Sequence, residues 1–278
     1  MNSVIQSFES VCDAWAEMVH ANREQVERLR ETAPTGDFYA PIASSFKADP
    51  HRTSGDDVLD YLRTIVRPEE SWLDIGGGAG RYALPLALIA RQVTVIDPSD
   101  GMLSLLDELM AEHNIQNVRA IQGRWPAESA DLKANSTLIS HVGYDIPEIG
   151  AFFNAMEHAA TDRCVAVLMD RAPASFASPF WPAIHGEPRA ELPGAREFLT
   201  LLLARGRLPS VRLFDRPPGT YPGAVEAQEH LRHQLWVEAG SEKDERLREE
   251  IERLAIPAEK GIRFVARPVQ TAVIEWRP

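Results

Sequence analysis

Apolar residues near the start of the chain recur at helical intervals. Val4, Phe8, Val11, Trp15 and Met18 are spaced by four and three, which puts them on one face of a helix. Val26 and Leu29 extend that stripe through an otherwise charged stretch, and Pro34-Thr35-Gly36 ends it. An irregular segment bearing Tyr39 and Phe46 follows. Ser54 or Asp56 then stands where a helix cap is expected, ahead of Val58, Leu59, Leu62 and Ile65, with Pro68 as the stop.

From Ser71 the rhythm changes. SWLDI is a short apolar run, GGGAG a turn, RYALPLALIA a helical pattern and QVTVID a β-branched run. Strand, glycine turn, helix and strand make a βαβ unit and predict parallel pairing. The alternation continues with the helix SDGMLSLLDELMAEH, the strands NVRAIQG and STLISHVGY, the helix PEIGAFFNAMEHAA and the strand CVAVLMD. RAPASFASPFWPAIHGEPRAELPG reads as a long loop or small cap. Beyond it come a helix in REFLTLLLARG, a strand in SVRLFD, two charged helices with solvated faces, and a last strand in TAVIEW. The expected fold is α/β: a doubly wound, mostly parallel seven-stranded sheet with helices on both faces.

Composition narrows the field. The chain has 278 residues, 44% of them hydrophobic, enough for a self-sufficient core without metal or disulfide. Its net charge of −12 argues against nucleic acid as a partner, because phosphate binding draws on clustered Lys and Arg. Cys12 and Cys164 are far apart and give no disulfide framework. No apolar run approaches the roughly 18 residues of a membrane span, and no leader pattern is visible, so a cytoplasmic protein without membrane contact is expected.

The chemistry concentrates between Asp74 and Met102. Asp74 ends the first strand of the alternating region, and Gly76, Gly78 and Gly80 follow at alternate positions. Glycines let the backbone turn tightly and let a ligand approach closely, and the next helix offers unsatisfied N–H groups. Asp97 ends the second strand, where a carboxylate accepts hydrogen bonds from both ribose hydroxyls. An adenosine-type ligand is implied. A dinucleotide fingerprint needs glycine where Arg81 stands, and no phosphate-loop Gly-Lys-Ser/Thr is present.

LDIGGGAG followed by VIDPSDGML resembles the paired cofactor motifs of class I S-adenosylmethionine-dependent methyltransferases. The resemblance implies S-adenosylmethionine as cofactor. The glycines would pass beneath its methionine moiety and Asp74 would lie near its amino group. Asp97 would hold the ribose, and Pro98 and Met102 would flank the adenine. Arg124 and Trp125 stand where the family often has an acidic adenine contact, and are the candidates there. Residues 1–55 would form an N-terminal helical lid. Residues 56–278 would form the methyltransferase domain, with a cap insertion over about 172–195 and a helical insertion over about 222–256.

Methyl transfer from a sulfonium requires alignment and, for some acceptors, removal of a proton. The acceptor is expected over the C-terminal end of the fourth strand, beside His141 and Tyr144. His141 is a candidate base and cofactor contact, and Tyr144 a candidate pocket residue. The stretch HVGYD lacks the Asn/Asp-Pro-Pro-aromatic run of amino-methylating DNA enzymes. Cys164 lies within a buried strand, which argues against base-carbon chemistry. Tyr39, Trp181, His185 and Arg189 are candidate substrate contacts, with Phe46, Arg52 and Glu187 nearby in sequence. His230 and His233 lack a third ligand, so no metal is expected. The resulting expectation is methylation of an O or N atom of a small-molecule acceptor. Methylation of RNA or protein, and non-catalytic cofactor binding, are the alternatives. The first helix is apolar enough for a homodimer contact as well as a lid.

Overall fold

The computed structural model describes residues 6–33, 36, 43–44, 46–127 and 131–278. Tyr39 lies outside them. The chain opens with α1 (Phe8–Leu29), capped by Ser7, whose hydroxyl accepts from the Ser10 amide at 3.1 Å. The helix stops at Leu29, short of the predicted Pro34 break, because Arg30 turns extended. Its stripe of Val11, Trp15 and Val19 is buried in this chain's own core beside α5 (Ile149–Ala159) and α7 (Ala195–Ala204). That stripe is therefore not available as a dimer contact, which corrects the sequence reading. α2 (Asp57–Ile65) is capped by Asp56, whose carboxylate accepts from the Leu59 amide.

The sheet is seven-stranded, in the order β3-β2-β1-β4-β5-β9-β6. β1 (Ser71–Ile75), β2 (Gln92–Asp97), β3 (Val118–Gln122), β4 (Ala134–Ser140) and β5 (Ala160–Met169) are mutually parallel. β9 (Val269–Trp276) is antiparallel to both β5 and β6 (Ser210–Arg216). The expected doubly wound sheet is present. Chain order reverses between β1 and β4, and a crevice opens at the carboxyl ends of strands at such a switch point.

Each face of the sheet carries its own core. On one side α2, α3 (Ala83–Ala87) and α4 (Asp100–Glu112) cover Trp72, Val93, Val95 and Leu138. On the other, α1, α5 and α7 cover Leu73, Ile75, Ile139 and Cys164. The glycine-turn helix is shorter than RYALPLALIA suggests. Asn117 Nδ2 donates to the carbonyls of Ala87 and Ala90 at 2.8 and 3.0 Å, closing its C-terminal end.

A third cluster forms a cap. A 3-10 turn (Pro173–Ala177) and α6 (Trp181–His185) pack Phe180, Trp181 and Ile184 against α8 (Ala224–Leu235) and α9 (Glu242–Leu254). A small hairpin of β7 (Ile256–Ala258) and β8 (Gly261–Arg263) completes this region and has no counterpart in the sequence reading. α1 ties the cap to the sheet. Gln25 accepts from the Ala190 amide at 2.7 Å and donates to Pro188 O at 2.8 Å, and the Trp15 indole donates to Ile146 O at 2.9 Å. The loop after β4 is thus buttressed from below. Among the described residues no helix is long and apolar enough to cross a membrane. Cys12 and Cys164 are both free.

Candidate active site

The turn after β1 gathers three glycines with left-handed backbones: Gly76 (φ 70), Gly78 (φ 52) and Gly80 (φ 79). At Gly76 the demand is steric as well as conformational. An added Cβ would stand 2.5 Å from Val142 Cγ2, so the turn and the loop after β4 touch. At Gly78 an added Cβ would meet Met102 Cε at 2.7 Å.

Asp97 organises the turn. Its Oδ2 accepts from the Gly78 amide and its Oδ1 from the Ser99 amide, each at 2.9 Å. Ser99 in turn caps α4, accepting from the Met102 amide at 3.1 Å. Pro98 and Met102 therefore sit beside the carboxylate, at the start of α4. Asp74 is buried below the turn, and its Oδ1 has no partner. Burial, reinforced by the neighbouring Asp97, pushes its carboxyl up to about 7. A buried acceptor lacking a donor, under a cradle that any side chain would fill, fits a cationic, adenosine-bearing ligand such as S-adenosylmethionine.

A guanidinium cluster stands at the rim. Arg81 donates to Asp56 Oδ2 at 2.9 Å, and Arg52 reaches the same oxygen at 3.3 Å and the Arg81 carbonyl at 2.9 Å. Burial works against ionisation of Asp56, yet its bond from the Leu59 amide and the two arginines hold its carboxyl below the ordinary value. The residue that broke the dinucleotide pattern thus fastens the glycine turn to the cap of α2.

His141 follows β4 with a left-handed backbone (φ 56), a conformation non-glycine residues adopt at a cost. Its amide donates to Val167 O at 2.9 Å. Nδ1 lies 3.3 Å from the Tyr144 hydroxyl, whose oxygen accepts from the Met169 amide at 2.8 Å. Burial depresses the imidazole to about 4, helped by the charges of Arg216 and Arg81 and opposed by Asp56. Arg216 comes from β6, 75 positions further along the chain, and no sequence signal linked it to His141.

Other candidates fall elsewhere. Trp125 packs its ring on Phe152, with centroids 6.5 Å apart, and its indole donates to Phe152 O at 3.3 Å. It lies against α5, with Arg124 just beyond the end of β3. Trp181, His185 and Arg189 are together as the sequence suggested, but inside the cap. The Arg189 guanidinium lies 4.6 Å over the Trp181 ring and donates to Ala174 O at 2.6 Å. Burial lowers it to about 10, against the pull of Glu191. His185 Nε2 meets Leu235 O at 3.0 Å. Their protein partners are cap residues, not the glycine cradle. Glu187 is held by Gln25 and Arg28. Among the described residues no group of three or more His, Cys, Asp or Glu could hold a metal ion.

Comparison with known proteins matches residues 56–140 to the family described as GidB, rRNA small subunit methyltransferase G. The ribosomal RNA small subunit methyltransferase G of Pseudomonas putida is 30% identical over 70 residues, covering 24% of this chain and 32% of the relative. The chain thus spans about a third of the length of the curated relatives it matches. Among solved structures, a Bacillus halodurans protein provisionally assigned as a methyltransferase aligns with a TM-score of 0.57 at 14% identity, over 80% of this chain and 99% of that one. Coclaurine N-methyltransferase, bound to N-methylheliamine and S-adenosylhomocysteine, aligns with a TM-score of 0.51 at 12% identity, over 97% and 92%.

The sequence match overturns the expectation of a small-molecule acceptor and the argument against nucleic acid, since the matched relatives are named for ribosomal RNA. Net charge averages the whole chain. Acidic helices such as α9 contribute to the −12, while Arg52, Arg81 and Arg216 gather beside the cofactor cradle. The sheet order is the fold of class I S-adenosylmethionine-dependent methyltransferases, and the segment that matches the GidB family, residues 56–140, carries the motif residues from Asp74 to Met102.

Proposed function

We propose that the protein transfers the methyl group of S-adenosylmethionine to RNA. The observation that carries this reading is the match of residues 56–140 to the small-subunit rRNA methyltransferase G family. That segment holds the whole cradle, from the Asp56 cap through the glycine turn to the end of β4. The rim supports the reading. The exposed Arg216 and the partly exposed Arg81 supply local positive charge for phosphate contacts on a chain that is acidic overall.

In this account Asp97 accepts from the ribose hydroxyls, Pro98 and Met102 flank the adenine, and Asp74 receives the ammonium group. Arg124, just beyond β3, is proposed at the adenine edge, whereas the Trp125 ring is taken up by Phe152 of α5. The cofactor's sulfonium supplies the activated methyl group, and the chain's residues bind, orient and exclude water. His141 faces the acceptor, with Tyr144 behind it. Residues 1–55 as a lid belong to the same proposal, whereas Trp181, His185 and Arg189 keep their partners within the cap and are not proposed as acceptor contacts.

The test is transfer of label from methyl-tritiated S-adenosylmethionine to RNA isolated from cells that lack the protein. Label that ribonuclease releases and protease does not is the expected result. Label in protein, or none in RNA while the cofactor binds, overturns the RNA acceptor and leaves the cofactor site standing.

A further inference from the structure

The loop after β4 contains a chain of hydrogen bonds whose direction is fixed at one end. A backbone N–H can only donate. The Met169 amide, 2.8 Å from the Tyr144 oxygen, therefore donates to it. The phenol has one proton left to give, and its remaining neighbour is His141 Nδ1 at 3.3 Å. Were the ring to donate instead, the phenol proton would have no acceptor at a residue only 6% exposed. A buried hydroxyl left unsatisfied forfeits its desolvation with nothing in return, so that arrangement loses.

We infer that Tyr144 is a positioning residue that fixes His141 as the neutral tautomer with its proton on Nε2. His141 then presents an N–H donor to a lone pair on the ligand seated against Gly76, and does not act as a proton acceptor. The inference replaces the general-base role expected for His141, and it rests on the proposed methyltransferase reading only for the identity of the ligand. The surroundings agree. Burial keeps the phenol protonated well above its ordinary range, and the nearby Arg216 and Arg81 oppose an imidazolium, outweighing Asp56. The left-handed backbone of His141, held by Val167 O, aims the ring at the hydroxyl three residues on. Val142, the next residue, sits where a Gly76 side chain would be, so the relay stands directly beside the cradle.

The relay also gives Met169, at the end of β5, a role no neighbouring residue in sequence suggests. Its amide points toward the β4 side and finds a side chain there, while β9 pairs on the other edge of the strand. The two switch-side strands thus hold the imidazole between them.

The test is long-range proton–nitrogen correlation spectroscopy on the full chain carrying nitrogen-15 histidine at neutral pH, with His141 assigned by its loss in His141→Gln. A single tautomer with the proton on Nε2 is expected, unchanged when S-adenosylhomocysteine is added. In Tyr144→Phe, the other tautomer should gain by roughly fivefold, the worth of one net hydrogen bond. A proton on Nδ1 in the wild-type protein, an imidazolium in the presence of S-adenosylhomocysteine, or an unchanged tautomer ratio in folded Tyr144→Phe would overturn the inference. If the variant does not fold, the wild-type spectra decide alone. No acceptor is present, so failure of the RNA reading leaves the outcome intact.

Discussion

The Gly78 amide donates to Asp97 Oδ2 at 2.9 Å, joining the turn after β1 to the end of β2 across 19 positions of sequence. One carboxylate thereby shapes the glycine cradle and stands ready for the ribose. Replacing it removes both functions. Asp97→Ala should weaken S-adenosylhomocysteine binding at least about a hundredfold, since charge-assisted hydrogen bonds contribute roughly 1.5–3 kcal/mol each. Calorimetry checks this, and a change below tenfold would deny Asp97 that place.

Asp74 predicts a pH dependence. Its folded value of about 7 lies above that of an unfolded aspartate, so folding favours the protonated carboxyl. The ligand-free protein therefore loses stability as pH rises from about 4 to 7. A ligand ammonium pairs with the ionised form, so binding must release a proton when the pH is below that value. Affinity for S-adenosylhomocysteine should fall on the order of tenfold from pH 7 to pH 5.5, and Asp74→Asn should flatten that profile while weakening binding. A wild-type affinity that holds steady over this interval would separate Asp74 from the ammonium.

Gly76 tests the contact between turn and loop. Gly76→Ala imposes a side chain at φ 70 and a 2.5 Å clash with Val142. The strain alone costs about 1–3 kcal/mol, and melting should drop by roughly 5 °C with cofactor binding impaired. Adding Val142→Ala relieves the clash and leaves the backbone strain, so the double variant should recover part of the loss. Full recovery would show that φ costs nothing there.

The base of the sheet supplies a stability test away from the site. Glu70, 3% exposed, accepts from Arg67 Nε at 2.6 Å, from Arg163 Nη2 at 2.8 Å and from the Trp72 indole at 3.3 Å. Glu70→Ala takes the nearest carboxylate from Arg163, whose guanidinium keeps the Ile65 carbonyl and the Ser136 hydroxyl, and breaking such a buried pair costs up to about 3–5 kcal/mol. Denaturant unfolding should show it, with S-adenosylhomocysteine affinity in the folded protein unchanged within about twofold.

The cradle could be read from sequence because its parts are local. Asp74, the glycines and Asp97 lie within one βαβ unit, whose strand ends and turn follow from residue type alone, and Met102 stands in the first turn of the helix after it. His141 and Tyr144 were likewise found together, three positions apart. Their functional geometry was not legible, since it depends on the Met169 amide from β5 and the Arg216 charge from β6, and only sheet order brings these near. The cap shows the opposite failure. Trp181, His185 and Arg189 were grouped correctly by proximity in sequence, yet their contacts lie in a separate apolar cluster with α8 and α9. An amphipathic helix such as α1 also cannot announce whether its stripe meets its own chain or another. Trp15 and Val19 show that it meets its own.

Calorimetric titration of the purified protein with S-adenosylmethionine, S-adenosylhomocysteine and NAD decides which ligand the glycine cradle takes. Micromolar binding of both sulfur ligands, none of NAD, and loss of both in Asp97→Ala are expected. Binding of NAD without either sulfur ligand would contradict a methyltransferase cofactor site.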